Sequence, residues 1–296
     1  MNKEKSKNIY AFSHIRYREL NEIFHNISFP YAVIKGEPLS FYMYGEFGRR
    51  NSADIDILIS RKNLKNMEEL LAENNFSTKK LNRHDQIMSR CFSHSSLPYK
   101  KRIVIGTLEI DLNYDLFWGE YTGERINIDE FLEDTVQMEI WECKIQTLSL
   151  IKTFIQLSLH HYREINQIFL IYKNGFINFD KLKDINTLLQ NNIQKLPADS
   201  LLSICENYKI VPYVYYILYY TYMVTHNEIL TNYIDTFDTY EGRKLINCYG
   251  LNSKERKEWK IDIYERMKSH DLSRIIETDL TEKDFQKMND IRRIIF

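Results

Sequence analysis

At 296 residues the chain exceeds one typical domain, so two domains or one large mixed unit is the expectation. Its 44% hydrophobic and 27% charged content is that of a soluble globular protein, and a net charge of −1 argues against a strongly basic nucleic-acid binder while leaving room for a local basic patch. Cys91, Cys143, Cys205 and Cys248 are scattered with no CxxC pair, which argues against a disulfide framework or a cysteine-rich zinc site; with no apolar h-region in "MNKEKSKNIYAFSHIRYREL", they point to a reducing cytoplasm.

The first half reads as mixed α/β. "YAVIKG" (31–36) is a short apolar strand closed by glycine, and "EPLSFYMYG" a short helix with Pro38 in its first turn and Gly45 just past its end. The loop "EFGRRNSA" leads into the strand "DIDILIS" (54–60), and "KNLKNMEELLAENNF" repeats Leu64, Met67, Leu70 and Leu71 at helical spacing. "FSTKKL", "IMSRCFSH", "KRIVIG" and "TLEIDLNY" are further strand candidates, an order that suits a small sheet with helices on at least one face.

From about residue 130 the pattern becomes helical. "TLSLIKTFIQLSLHHYREINQIFLIYKNG" keeps Leu148, Ile151, Ile155, Leu159 and Tyr162 near one face and ends at Asn174–Gly175. "FDKLKDINTLLQNNIQKL" and "ADSLLSICENYKI" follow on either side of Pro197, and "TEKD" (281–284) has capping-box form ahead of the last helix. "VPYVYYILYYTYMV" (211–224) is too short to span a bilayer and rich in tyrosine, which predicts a buried core helix. The expected fold class is α+β: a small mixed sheet with flanking helices over residues 1–135, then a helical domain over 136–296.

In the strand at 54–60, alternation places Ile55, Ile57 and Ile59 on one face and leaves Asp54 and Asp56 together on the other, with Cα atoms about 7 Å apart. Carboxylates about 5 Å apart repel by roughly 3 kcal/mol at an effective dielectric of 20, so a divalent cation, a nearby arginine or exposure to water must offset the cost. Gly36 lets the backbone approach a phosphate closely, and the helix start behind it offers free N–H groups to an anion. Arg49, Arg50 and Ser52 lie just ahead of the carboxylates, where arginine either neutralises them or binds the phosphates of a metal-bound nucleotide. Asp111, between Ile110 and Leu112, supplies an acid from another strand; Glu109 and Asp115 compete with it, since parity within one strand does not separate them. Three carboxylates suit magnesium, because hard cations take oxygen ligands and two of them clamp the attacking and leaving oxygens of an in-line phosphoryl displacement.

Other residues carry less. His84–Asp85 has the dipeptide of metal-dependent phosphohydrolases without the separated histidine and aspartate partners. His84, Cys91 and His94 fall on different strands or in a loop, so packed or exposed roles outweigh zinc. His160 and His161 are helical neighbours about 100° apart and are not expected to face one ligand. Lys79, Lys80, Lys100, Lys101 and Arg102 read as edge protection, and Tyr213, Tyr215, Tyr216, Tyr219 and Tyr220 as amphipathic packing.

Gly36, then D-x-D on a strand, then a later strand aspartate, resembles the nucleotidyltransferase fold of the DNA polymerase β superfamily. More closely, "VIKGEPLSFYMYGEFGRRNSADIDILI" resembles the bacterial nucleotidyltransferase-like family whose segment runs apolar-K-G-x-x-L, L-Y-G, R-x-S-x-D-I-D-L-L. The likeness is close over about residues 31–60, weak through "LEIDLNYDLFWG" and only broad around "LSLHHYREINQIFLIY". It implies Mg²⁺-dependent (or Mn²⁺-dependent) transfer of a nucleoside monophosphate from a nucleoside triphosphate, ATP among the donors, to an acceptor hydroxyl of a small molecule, peptide or protein. It also implies Asp54, Asp56 and Asp111 as metal ligands, with Asp111 as ligand or general base, and Lys35, Gly36, Arg49, Arg50 and Ser52 at the nucleotide. One departure matters: the superfamily's usual glycine–serine pair is Gly36–Glu37 here. The hydroxyl that often touches a phosphate is missing, and Glu37 repels one unless it points away, leaving Ser52 as the substitute. The alternative is a catalytically silent module of the same fold acting through a protein partner. The acceptor is expected in the cleft between the halves, with neither a membrane nor a long nucleic acid as partner.

Overall fold

The isoleucines of "DIDILI" locate the first core. Ile55, Ile57 and Ile59 are at most 4% exposed and pack with Val33, Leu108, Ile110, Leu112, Ile145 and residues of two helices, as their alternation predicts. A computed structural model describes residues 3–50, 52, 54–104, 106–116 and 126–295. Residues 3–116 with 126–153 make up one unit, and residues from 154 onward the other.

The first unit contains α1 (Lys3–Asn26), β1 (Tyr31–Ile34), α2 (Gly36–Tyr44), β2 (Ile55–Ile59), α3 (Leu64–Glu73), α4 (Arg83–Phe92), β3 (Tyr99–Ile103), β4 (Gly106–Asn113), α5 (Ile128–Phe131), β5 (Val136–Ile140) and β6 (Cys143–Thr147). Its mixed sheet has the order β3-β4-β2-β1-β6-β5: β2 runs antiparallel to β1 and parallel to β4, and β1 runs parallel to β6. β3 is an edge strand whose lysines pair outward, Lys100 with Glu109 at 2.8 Å and Lys101 with Glu19 at 3.7 Å, in keeping with edge protection.

Four features differ from the sequence reading. Residues 3–26 form a helix that buries Tyr17, Leu20, Ile23 and Phe24 at helical spacing against the sheet core. "IMSRCFSH" is helical, not extended, because Asn82 caps α4 by accepting from the Asp85 N–H at 2.8 Å. "FSTKKL" contributes only the bridge Ser77–Lys100. Before the helical pattern begins at Leu150, β5 and β6 form a hairpin whose turn, Trp141 (φ 48°) and Glu142 (φ 70°), takes two positive φ values with no glycine or asparagine to announce it.

The remaining elements are α6 (Leu150–Asn166), α7 (Ile168–Asn174), α8 (Lys183–Asn191), α9 (Ala198–Asn207), α10 (Val211–Thr225), α11 (Ile229–Thr236), α12 (Tyr240–Leu245), β7 (Cys248–Tyr249), β8 (Lys257–Glu258), α13 (Ile263–Lys268), α14 (Leu272–Glu277) and α15 (Glu282–Ile295). The long helix of the sequence breaks at Gln167, where the Asn166 carbonyl accepts from the Gly250 N–H at 2.9 Å. α10 is the expected core helix: Tyr216 and Tyr220 are 1% exposed and meet Tyr162 and Phe179 ring to ring. Thr281 and Asp284 exchange both bonds of the capping box. Among the described residues no helix is long and apolar enough to cross a membrane.

Candidate functional site

β1 ends at Ile34, the register partner of Asp56, and the chain then turns into α2 through Lys35 (φ 60°) and Gly36 (φ 46°). A positive φ is costly for lysine and easy for glycine. A Cβ on Gly36 would meet nothing closer than 3.9 Å, so backbone conformation, not space, calls for glycine there. The turn delivers the Lys35 ammonium to Asp56, Nζ to Oδ1 at 3.1 Å. Asp56 is 7% exposed, so water does not screen it; the same Oδ1 also accepts from the Asn113 side-chain amide at 3.0 Å.

The parallel pairing of β2 with β4 sets Asp111 directly beside Asp56. This separates the three competing acids. Glu109 is paired with Lys100 at the sheet edge, and Asp115 lies beyond the end of β4, whereas Asp111 Oδ1 is buried with no hydrogen-bond partner among the described residues. Burial, then the charges of Asp56 and Asp54, push the Asp111 carboxyl up to about 7. Asp54 stands half-buried just ahead of β2, where the Ser52 hydroxyl donates to its backbone carbonyl at 2.9 Å and lies 3.2 Å from its carboxylate.

An all-oxygen, anionic donor set with one orphaned carboxylate oxygen fits a hard divalent cation. The three carboxylates do not converge on a single point, however. Among the described residues, the one triad whose donor atoms all lie within 4.8 Å of one another is His160, His161 and Glu164.

The loop before β2 is fastened from two helices. Glu37 is 2% exposed, and its carboxylate accepts from the Gly48 N–H at 2.6 Å and from the Ser13 hydroxyl of α1. Ser40 of α2 donates to the Glu46 carbonyl at 3.0 Å and accepts from the Arg49 N–H at 3.2 Å. Arg16 of α1 donates to the Ser52 carbonyl at 2.5 Å. The structure therefore brings Lys35, Gly36, Ser52, Asp54, Asp56 and Asp111 together. Arg50 is drawn electrostatically to Glu37, while the Arg49 guanidinium sits half-exposed on Glu46 at 2.7 Å and over the Tyr44 ring. Asn113, Arg16 and Ser13 were not legible as site residues. Asn113 shares the strand parity of Asp111, which was the available signal; α1 offered none.

The family described as uncharacterised nucleotidyltransferase matches residues 10–224, well over half of the chain. The chain belongs to this family. The matched span holds every residue of the carboxylate site. No curated protein matches it. Among solved structures, an antigenic nucleotidyltransferase-like protein from Paracoccidioides brasiliensis is similar at 18% identity, over 66% of this chain and 92% of that one, with a TM-score of 0.32.

Outside the sheet, His160 Nε2 and His161 Nδ1 lie 3.4 and 3.6 Å from the same Glu164 carboxylate oxygen, contrary to the expectation that helical neighbours would not share a partner. Side chains reach further than the 100° between their Cβ directions suggests. The cluster already has its cations: Lys181 holds both Glu164 oxygens at 2.9 and 3.0 Å, and Arg163 reaches His160 Nδ1 at 2.8 Å. An arginine only donates, so the His160 proton must sit on Nε2, the atom a metal would need. The cluster reads as an ion-pair network. His84–Asp85 belongs to the N-terminal turn of α4, where the Asn82 amide also bonds Asp85 at 2.8 Å; the Cys91 side chain and Trp118 lie outside the described residues. A cavity of about 550 Å³ between α7 and α15 is lined by Phe169, Tyr172, Phe285, Met288, Lys173 and Arg292, with no acid or histidine for group transfer.

Proposed function

We propose that this nucleotidyltransferase family member is an active enzyme that moves a nucleoside monophosphate from a nucleoside triphosphate to a hydroxyl of a small molecule, peptide or protein. Asp54, Asp56 and Asp111 would hold Mg²⁺, or Mn²⁺ in its place. The observation that carries the reading is the in-register placement of Asp56 and Asp111 on parallel strands, with Asp111 Oδ1 buried and without a hydrogen-bond partner among the described residues. When bound, the cation supplies neutralisation of the phosphate oxygens and polarises the phosphorus for attack. Asp111, set beside Asp56 on the neighbouring strand, takes the proton of the acceptor hydroxyl as that oxygen bonds to the α-phosphorus. The bridging bond from the α-phosphorus to the β-phosphate breaks, and pyrophosphate leaves. Backbone N–H groups at the start of α2 and the Ser52 hydroxyl receive phosphate oxygens, and Lys35 supplies positive charge at Asp56.

Two observations favour a second reading. Lys35 already neutralises Asp56, and the carboxylates do not converge, as in a chain that keeps the fold only for binding a protein partner. Thermal denaturation with each nucleoside triphosphate, with and without Mg²⁺, separates the two. Binding at a hundred times the dissociation constant stabilises by about 2.7 kcal/mol. The enzyme reading expects Mg²⁺-dependent stabilisation by at least one triphosphate, absent in Asp54→Asn/Asp56→Asn; no stabilisation by any of them overturns it.

A further inference from the structure

We propose that Glu37 is a positioning residue of the site: it latches residues 45–50 so that Ser52 and Asp54 are held against the β2–β4 carboxylates. The functional half of this inference rests on the nucleotidyltransferase reading above; the latch itself does not.

Glu37 lies in the first turn of α2, adjacent to Gly36, yet its carboxylate is spent on the loop. It accepts from the Gly48 N–H at 2.6 Å and from the Ser13 hydroxyl, and it attracts Arg16 and Arg50. Gly48 (φ 75°) takes a backbone conformation that turns its N–H toward Glu37, and both residues are buried. Arg16 extends the connection, its guanidinium donating to the Ser52 carbonyl while Ser52 Oγ bonds Asp54. One buried carboxylate thus ties α1, α2 and the loop together, and the last link of the chain is a proposed metal ligand. A charge-assisted bond of this length from a buried acid to a backbone N–H is strong, and a truncated acid leaves that N–H without a partner. Residues 45–50 have no helix or strand of their own, so their opening should be governed by these attachments.

Limited trypsin digestion reads the latch directly, because Arg49 sits in the loop. In Glu37→Ala, cleavage after Arg49 should become at least tenfold faster than in the wild type, ahead of cleavage elsewhere. Glu37→Gln keeps an oxygen acceptor for Gly48 and Ser13 and should stay within about threefold of the wild type. The Mg²⁺–triphosphate dissociation constant should rise at least tenfold in Glu37→Ala and be restored by Glu37→Gln, a rescue that general loss of folding would not show. Should Glu37→Ala unfold, Ser13→Ala, which removes one donor, should show the same site-selective cleavage at about threefold. Unchanged cleavage after Arg49 in both truncations overturns the latch. Faster cleavage with unchanged nucleotide affinity overturns its positioning role. If the wild type binds no triphosphate, the proposed function falls and the digestion alone still decides the latch.

Discussion

Asp111 and Glu164 are both carboxylates set among other ionisable groups, and their acidity moves in opposite directions. Asp111 faces Asp56 and Asp54, has an oxygen with no partner among the described residues, and is pushed up to about 7. Glu164 is desolvated too, but hydrogen bonds from His161 and Lys181 outweigh that cost and hold it down at about 2. Burial is common to both; the sign is decided by whether cations are already present. An acid short of positive charge is where a ligand has something to contribute, and an acid already surrounded by cations is where it has not. The triad whose donor atoms lie closest together is therefore the poorer candidate for chemistry, despite its metal-like ligand types.

The largest expected effect tests the deficit. Lys35→Met leaves buried Asp56, among the described residues, with the Asn113 amide alone and should destabilise the metal-free protein by about 3 kcal/mol in urea denaturation at pH 8. Millimolar Mg²⁺ should recover part of that loss, since it supplies the missing charge. A variant as stable as the wild type would mean that the site is not short of cations.

Next comes the sated acid. Glu164→Gln should cost about 2 kcal/mol at pH 7, because the neutral amide loses its charge-assisted bonds to Lys181 and His161. The folded-state value of about 2 lies below the ordinary 4.5, so this stabilisation is full above about pH 4.5 and is lost as pH falls toward 2. The wild type should show that acid-side slope and the variant should lack it.

Asp111 should give the mirror image. Its folded-state value of about 7 lies above the ordinary 3.8, so the folded chain binds a proton that the unfolded chain has released. Stability of the metal-free protein should therefore fall as pH rises from about 4 to 7 and level off above. Asp111→Asn should flatten that slope and stabilise the metal-free protein at pH 8 by about 1 kcal/mol, while losing Mg²⁺-dependent nucleotide binding. A destabilised Asp111→Asn would show that the carboxylate is structurally satisfied and would remove the contrast with Glu164.

The sequence carried the deficient site better than the sated one, for a physical reason. Strand alternation has a period of two, so Asp56 and Asp111 could each be placed on a face from local pattern, and Gly36 marked the turn that presents Lys35. The partners are non-local: Asp56 is reached by Lys35 across 21 residues and by Asn113 across 57, while Glu164 depends on Lys181 across 17. No period announces such pairs, and the side-chain reach that brings both histidines to one oxygen is invisible in a helical-wheel angle. Glu37 was visible as a departure from pattern but not as a latch, because its partners are a loop N–H and a hydroxyl on a helix whose charged surface masked its buried face. The β5–β6 hairpin was missed for a similar reason: Trp141 and Glu142 hold turn conformations that their side chains do not favour.

The smallest expected effect is the one that would break the comparison outright. Zinc prefers histidine nitrogen with carboxylate oxygen, and the separations of 3.4 and 3.6 Å from Glu164 to His160 and His161 approach the edge of a tetrahedron with bonds of about 2.0–2.2 Å. Distance alone would thus assign a metal here. To bind, the ion would have to displace Lys181 from both Glu164 oxygens and strip the Nε2 proton from a His160 whose other nitrogen accepts from Arg163. Each step exchanges an existing cation for another, so little net attraction remains. Zn²⁺ titrated against the Asp54→Asn/Asp56→Asn variant, in which the sheet site is disabled, should leave the melting temperature within about 1 °C, with or without Glu164→Gln. A stabilisation that Glu164→Gln abolishes would make the helical cluster a metal centre, and a satisfied carboxylate would no longer distinguish structural from functional acid in this chain.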